Sequence, residues 1–488
     1  MGYINMKKFN KDKYLKKLRF KKYKRYLYTG IPCILVLLIG IYFAYSKFSV
    51  FKEEEVVRTT VGDFISGDAV IGAYIDGEYS KSIPGKNDGY IVDKIVCDND
   101  ASASWDTDSW GIVLTNMTKR TKCNVYFKID PIKKIIAQLD TSGKCPTINS
   151  DGTVNVTKAE ATDGYVCSAA DAYGTSYYYR GNVTNNYVKF GEWHVRKYFG
   201  YYSDTSRAYR RYDSLEECQN ASSYNKKCAV GIDIGTPIYW RIIRMNGDGS
   251  IRVIYDGTSA HENGESSDDR QIGTSTFNNN SDDNAYVGYM YGKAGASTYA
   301  ETHANINNST IKTYIDTWYE NNIKGTTNEK YIVDNIFCND RSFSSSNSGT
   351  GTGKSSTAYN WADWHPSKIS LKCPQQNDAF TVSDTIYGNG ALTYSVGLLS
   401  TDEVVLAGSW NDFSGYSYLQ FGNYWWTSSP AYAGDAAYVH ILAGEDANYI
   451  DDSVSWPYLG VRPVLNVTKE VLQNGNGTID NPYTLSVQ

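Results

Sequence analysis

The sequence predicts an α+β protein with a single N-terminal transmembrane helix, a small β-sandwich, and a larger C-terminal domain. Three observations carry this. A basic run precedes a charge-free apolar run at the N-terminus. Short β-branched and aromatic runs separated by Gly, Asn and Asp fill residues 60–130. A strong hairpin signal and two capped helices occupy the region after residue 171.

Residues 1–26 hold eleven Lys and Arg between Lys7 and Arg25, against one acid, Asp12. Leu27 to Ser46, "LYTGIPCILVLLIGIYFAYS", is twenty residues without a charge, the length a helix needs to cross a bilayer. Cleavage as a signal peptide is the rival reading, but Ala44-Tyr45-Ser46 is a poor site. By the positive-inside rule the basic segment stays in the cytoplasm, and a single-pass cell-membrane protein with its C-terminal domains extracellular is expected. The basic residues then hold anionic headgroups, making the membrane a partner. Residues 31–488 keep 37 bases against 52 acids, a net of −15, which points away from nucleic acid.

A juxtamembrane linker, 47–59, precedes the sandwich of 60–130. Residues 131–170 read as a connector with a short helix, "PIKKIIAQLD", and a disulfide loop. One domain then covers 171–488, interrupted by a Tyr-rich insertion at 193–228. "IYWRIIRMNGDGSIRVIYDG" (238–257) places two apolar-rich runs around an Asn-Gly-Asp-Gly turn. In "NSTIKTYIDTWYENNI" (308–323), Ile311, Ile315 and Trp318 share one helix face and Ser309 can cap it. "SFSSSNSGTGTGKSSTA" (342–358) reads as a flexible loop. It fails as a P-loop because Ser348 stands at the first glycine position. Ser400 and Glu403 form an S-x-x-E capping box at the start of a second helix.

Outside the apolar run lie eight cysteines: Cys97, Cys123, Cys145, Cys167, Cys218, Cys228, Cys338 and Cys373. They fall into successive local couples, which favours pairing in order. No C-x-x-C occurs and the five histidines are scattered, so zinc is disfavoured. Tyrosine is abundant (43 residues, with 42 Gly and 11 Pro). That composition suits either an adaptable recognition surface or a turn-rich β fold.

The capped "LSTDE" helix, the aromatic "YWWTSSP", a glycine-bearing hairpin and "GVRPVL" resemble the C-type lectin fold, in the version of formylglycine-generating-enzyme-like domains and phage tropism determinants. "YYYRGNVTNNYVKF", "YWRIIRMNGDGSIRVIYDG" and "WWTSSP…GVRPVL" are similar to a family of bacterial surface proteins with this domain at the C-terminus. The resemblance covers about residues 171–487 and implies fold more than activity.

Catalysis is not expected. The formylglycine-generating enzymes need cysteines near the active site, yet none follows Cys373, and His303, His365 and His440 are far apart in sequence. No nucleophile elbow marks a hydrolase. Trp410-Asn411-Asp412 matches half of a calcium-lectin motif but lacks its partner, so calcium stays undecided and no other cofactor is implied.

A binding or adhesion protein remains, with an extracellular protein or glycan as ligand and a retroelement-diversified variable protein as a special case. A structural envelope protein is the alternative. The expected recognition surface spans 425–458. Trp426, Tyr432, Tyr438, His440, Tyr449 and Trp456 supply aromatic area, while Asp435, Glu445, Asn448, Asp451 and Asp452 supply directed hydrogen bonds. Only one of Trp425 and Trp426 should be buried, and the insertion at 193–228 is the alternative location.

Overall fold

A computed structural model describes residues 57–59, 69–115, 120–205, 209–410, 415–443 and 448–485, with only the backbone given for 57–59, 443, 448 and 449. The chain divides into two compact units, Met1–Ile129 and Asp130–Gln488.

The first unit is two sheets on one core. Strands β2 (Ala69–Ile75), β3 (Glu78–Ser80), β4 (Tyr90–Cys97) and β7 (Thr121–Ile129) form one sheet in the order β3-β2-β7-β4, and β1 (Val57–Thr59), β5 (Ser102–Asp106) and β6 (Gly111–Thr115) form the other in the order β1-β6-β5. Alternation along β7 sends Thr121, Cys123, Val125 and Phe127 inward, as a half-buried strand requires. They meet Ile112 and Leu114 of β6, and the Trp105 ring stands edge-on to Phe127 at 5.3 Å.

In the second unit, β8 (Gly164–Ala170), β9 (Thr175–Gly181), β10 (Tyr187–Glu192), β11 (Pro237–Met245) and β12 (Ile251–Gly257) build the central sheet. It runs β8-β9-β11-β12-β16, with β16 at Val464–Val467 on the far side and β10 also paired to β11. The expected hairpin is β11–β12, in register from Met245↔Ile251, and Gly249 supplies the positive φ of +84° that its turn needs. A second sheet collects β13 (Trp425–Pro430), β14 (Tyr438–Ala443) and β15 (Asn448–Ser453) with the short strands Gly273–Thr274 and Gly460–Val461. Helix α1 (Thr310–Asn322) begins at Ser309, whose Oγ accepts from the Lys312 amide. Helix α2 (Thr401–Leu406) carries both halves of the capping box. Ile135, Val154 and Val156, from the stretch expected as a connector, are buried in this unit's core.

All four expected disulfides are present: Cys97–Cys123, Cys145–Cys167, Cys218–Cys228 and Cys338–Cys373.

Three expectations are corrected. Among the described residues the protein is mostly β rather than α+β, with 35% strand and 15% helix, because the long segments 258–306 and 324–398 hold no long helix, only short helical turns and two-residue strands. No helix among the described residues is long and apolar enough to cross a membrane, so the expected transmembrane helix, and the single-pass cell-membrane localisation built on it, are not supported. The apolar run 27–46 itself lies outside the described residues.

The Ser/Gly-rich stretch is the third. Asn284, fully buried, donates through Nδ2 to the carbonyls of Gly353 (2.9 Å) and Ser355 (2.8 Å), and its own amide donates to Gly353 O at 2.8 Å. Its amides at Gly349 and Gly351 are taken by Asn347 Oδ1 and Thr357 Oγ1. The loop is therefore tied down by its own chain. Asn284→Ala should expose the bond after Lys354 to trypsin about thirtyfold faster, since it removes two side-chain hydrogen bonds worth ~1 kcal/mol each and local opening sets the cleavage rate. An unchanged digestion rate would assign the anchoring elsewhere.

Candidate functional site

Helix α1 turns two faces to two tasks. Ile311, Ile315, Trp318 and Tyr319 are buried, while Thr313, Thr317 and Asn321 are exposed. The latter stand four residues apart and so line up as one stripe. That stripe forms a wall of a cleft of about 570 Å³, completed by Ser275, Asn278, Asn279 and Asn308. Its opposite side is the insertion, a three-stranded sheet of Lys197–Tyr201, Tyr209–Tyr212 and Lys227–Ile232.

A second cleft of about 690 Å³ continues along the same insertion. The two share Lys197, Asp213, Ile272 and Tyr314 and form one groove. Tyr209, Arg210 and Tyr212 line one side of this second part, Gln271 to Thr274 the other, and Tyr424, Pro457 and Tyr458 one end. Arg211 closes its base, with its guanidinium donating to the carbonyls of Asp268 and Gln271.

The groove's floor is aromatic. Trp318 is 4% exposed and stands edge-on to Trp240 at 6.0 Å and Tyr255 at 6.1 Å. Its Nε1 donor has no hydrogen-bond partner, which is costly for a buried donor. Burial pushes the Tyr314 hydroxyl up to about 12, so it remains a donor at any ordinary pH.

The surface expected from the sequence is only partly outward. Trp426 is fully buried with its Nε1 donating to Ser275 O at 2.8 Å and its ring 5.7 Å from Phe277. Trp425 is buried as well, against the Arg462 guanidinium at 5.1 Å. Both are enclosed because β13 is an interior strand of its sheet with both faces covered. His440 is also buried, its Nε2 2.9 Å from Trp361 O, and burial lowers it to about 4, leaving it neutral.

Tyr432, Asp435, Asp451 and Trp456 are exposed, and Tyr438 and Asp452 half-buried. Asn448 and Tyr449 lie in β15, and Glu445 falls outside the described residues. Trp456 meets Tyr458 edge-on at 5.8 Å, which places the expected surface beside one end of the groove. The insertion, the alternative location, lines the groove with Tyr209 and Tyr212.

The asparagines of "TFNNNSDDN" (276–284) and "NINNST" (305–310) follow no helix or strand period, and their density is the one sequence signal of this cleft.

A separate cavity of about 400 Å³ opens beside α2, lined by Asp340, Asp402, Glu403, Arg244 and Arg252. Burial pushes Asp402 up to about 7, against donors from Ser370 N and Trp361 Nε1 that favour its charged form. Both oxygens are thus held by the protein itself. His365 and His440, distant in sequence, both approach the Trp361 ring, at 4.4 and 6.1 Å, while His303 bonds Gly351 O. Among the described residues no group of three or more His, Cys, Asp or Glu is placed to hold a metal ion. Asn411 and Asp412 of the half calcium motif lie outside them.

No family model, curated protein or solved structure matches the chain. The likeness to C-type lectin-like domains rests on its sequence motifs.

Proposed function

We propose that this is an extracellular binding protein whose second unit recognises a ligand in the groove between the insertion and α1. The observation that carries the reading is the groove itself: two joined clefts, each in the size range of about 300–1,000 Å³ typical of ligand sites. They are lined by tyrosines and asparagines. Four disulfides support an oxidising, extracellular setting. The resemblance of 171–487 to C-type lectin-like domains, a fold used for display, points the same way. The exposed Trp456–Tyr458 pair extends the surface at one end.

The test is an array of extracellular proteins and glycans probed with the full chain and with Thr317→Trp/Asn321→Trp. Both positions are exposed on the helix stripe, so bulky rings there fill the cleft without entering the core. Every ligand bound by the parent chain should weaken by about tenfold or more in the variant, with Tm unchanged. Equal binding by the two proteins would remove the groove as the site.

A further inference from the structure

The groove's formal charges cancel. Lys197, Arg210 and Arg211 face Asp213, Glu217 and Asp268, in a chain that is otherwise acidic. Each is also committed locally. Lys197 pairs with Asp213, Arg211 is spent on two carbonyls, and Arg210 lies 4.9 Å over the Tyr224 ring. Glu217 accepts from Asp213 N at 2.8 Å, and Asp268 accepts from Asn423 Nδ2 at 2.9 Å. The three positive and three negative side chains sum to zero and each already holds a local contact, so the groove offers a charged ligand no net attraction to offset the cost of desolvating its charge.

What the groove offers instead is uncharged and two-sided. Each asparagine amide carries donors and an acceptor, and so does every sugar hydroxyl, so one amide can serve two neighbouring hydroxyls. Asn308 and Asn321 are exposed along the first cleft. Tyr424 (51% exposed) and Tyr458 (62% exposed) present ring area at the far end, and the electron-rich face of such a ring attracts the C–H face of a sugar.

We propose that the groove binds a neutral glycan chain, an uncharged oligosaccharide rather than a peptide or a sulfated or uronic-acid polymer. This rests on the groove being the recognition site. Asn308 and Asn321 bond hydroxyls along the first cleft, and Tyr424 and Tyr458 stack on sugar rings at the other end.

The experiment measures binding of the full chain to neutral hexose and N-acetylhexosamine oligosaccharides, to charged glycans of matched length, and to a panel of extracellular proteins. It is repeated with Asn308→Asp/Asn321→Asp and with the groove-filling variant above. Neutral glycans should bind with an affinity that changes less than about twofold between ~50 and ~500 mM salt, because no charge pair is screened. The aspartate variant should weaken that binding by about tenfold or more at unchanged Tm, since it removes the amide donors and adds charge. Binding of charged glycans or proteins alone, lost in the groove-filling variant, overturns the neutral-glycan assignment and keeps the groove. Binding that survives the groove-filling variant overturns both, and absence of any neutral-glycan binding overturns the assignment outright.

Discussion

Glu403→Gln should lower the unfolding free energy by about 3–5 kcal/mol, the usual cost of breaking a buried ion network from one side. Glu403 Oε1 accepts from Arg252 Nη1 at 2.8 Å and Arg244 Nε at 3.1 Å, and Oε2 accepts from Ser400 N at 3.1 Å. All three charged side chains are less than one-tenth exposed. Burial would push the Glu403 carboxyl up, but Arg252 and Arg244 hold it below its ordinary value. The amide keeps the shape and removes the charge, leaving two enclosed guanidinium groups to share Asp171, which is 2.8 Å from Arg244. Ser400→Ala is the control, since it removes only the cap and should cost ~1 kcal/mol. Urea titration at neutral pH separates the two. A Glu403→Gln loss no larger than the control's would show the network to be dispensable.

The second large effect is a pH dependence centred on Asp402. Unfolded, this carboxyl loses its proton near 3.8, while folded it holds it to about 7. Between those values the native state binds the extra proton, so stability falls as pH rises. The contribution is complete below pH 4, is lost through about 7, and totals about 4 kcal/mol at 1.36 kcal/mol per unit. Asp340 and Glu403 reinforce the rise. Glu403 works in the opposite sense, since its stabilisation is present above the ordinary carboxylate range and is lost as pH falls through its lowered native value. Unfolding free energies from pH 4 to pH 8 should therefore decline in the parent chain and lose most of that slope in Asp402→Asn. Parallel profiles for the two proteins would assign the slope to other groups.

What could be read from the sequence was local. The β11–β12 turn, the caps at Ser309 and Ser400, and the four cysteine couples each depend on residues close together in the chain. The buried arginines were not legible in the same way. Arg244 in "IYWRIIRM" and Arg252 in "IRVIYDG" sit among apolar residues, and their acidic partner Glu403 stands 159 residues from Arg244 and 151 from Arg252. Strand alternation implies one wet face and so turns Trp426 and His440 outward, an inference that fails once both faces of a strand are covered. The groove draws on the insertion, two asparagine-rich loops and one helix stripe, and no periodicity links segments brought together only by tertiary packing.

The order of the disulfides has a consequence for biogenesis. From Cys97 onward the eight cysteines pair each with its neighbour along the chain, with separations of 26, 22, 10 and 35 residues, and no bridge spans another. Chains emerge N-terminus first and fold unit by unit. An oxidant that simply joins thiols as they appear therefore arrives at the native set, and no thiol must wait while a later one passes. Vectorial oxidation alone suffices to join these eight cysteines correctly, with no reshuffling of wrong pairs among them.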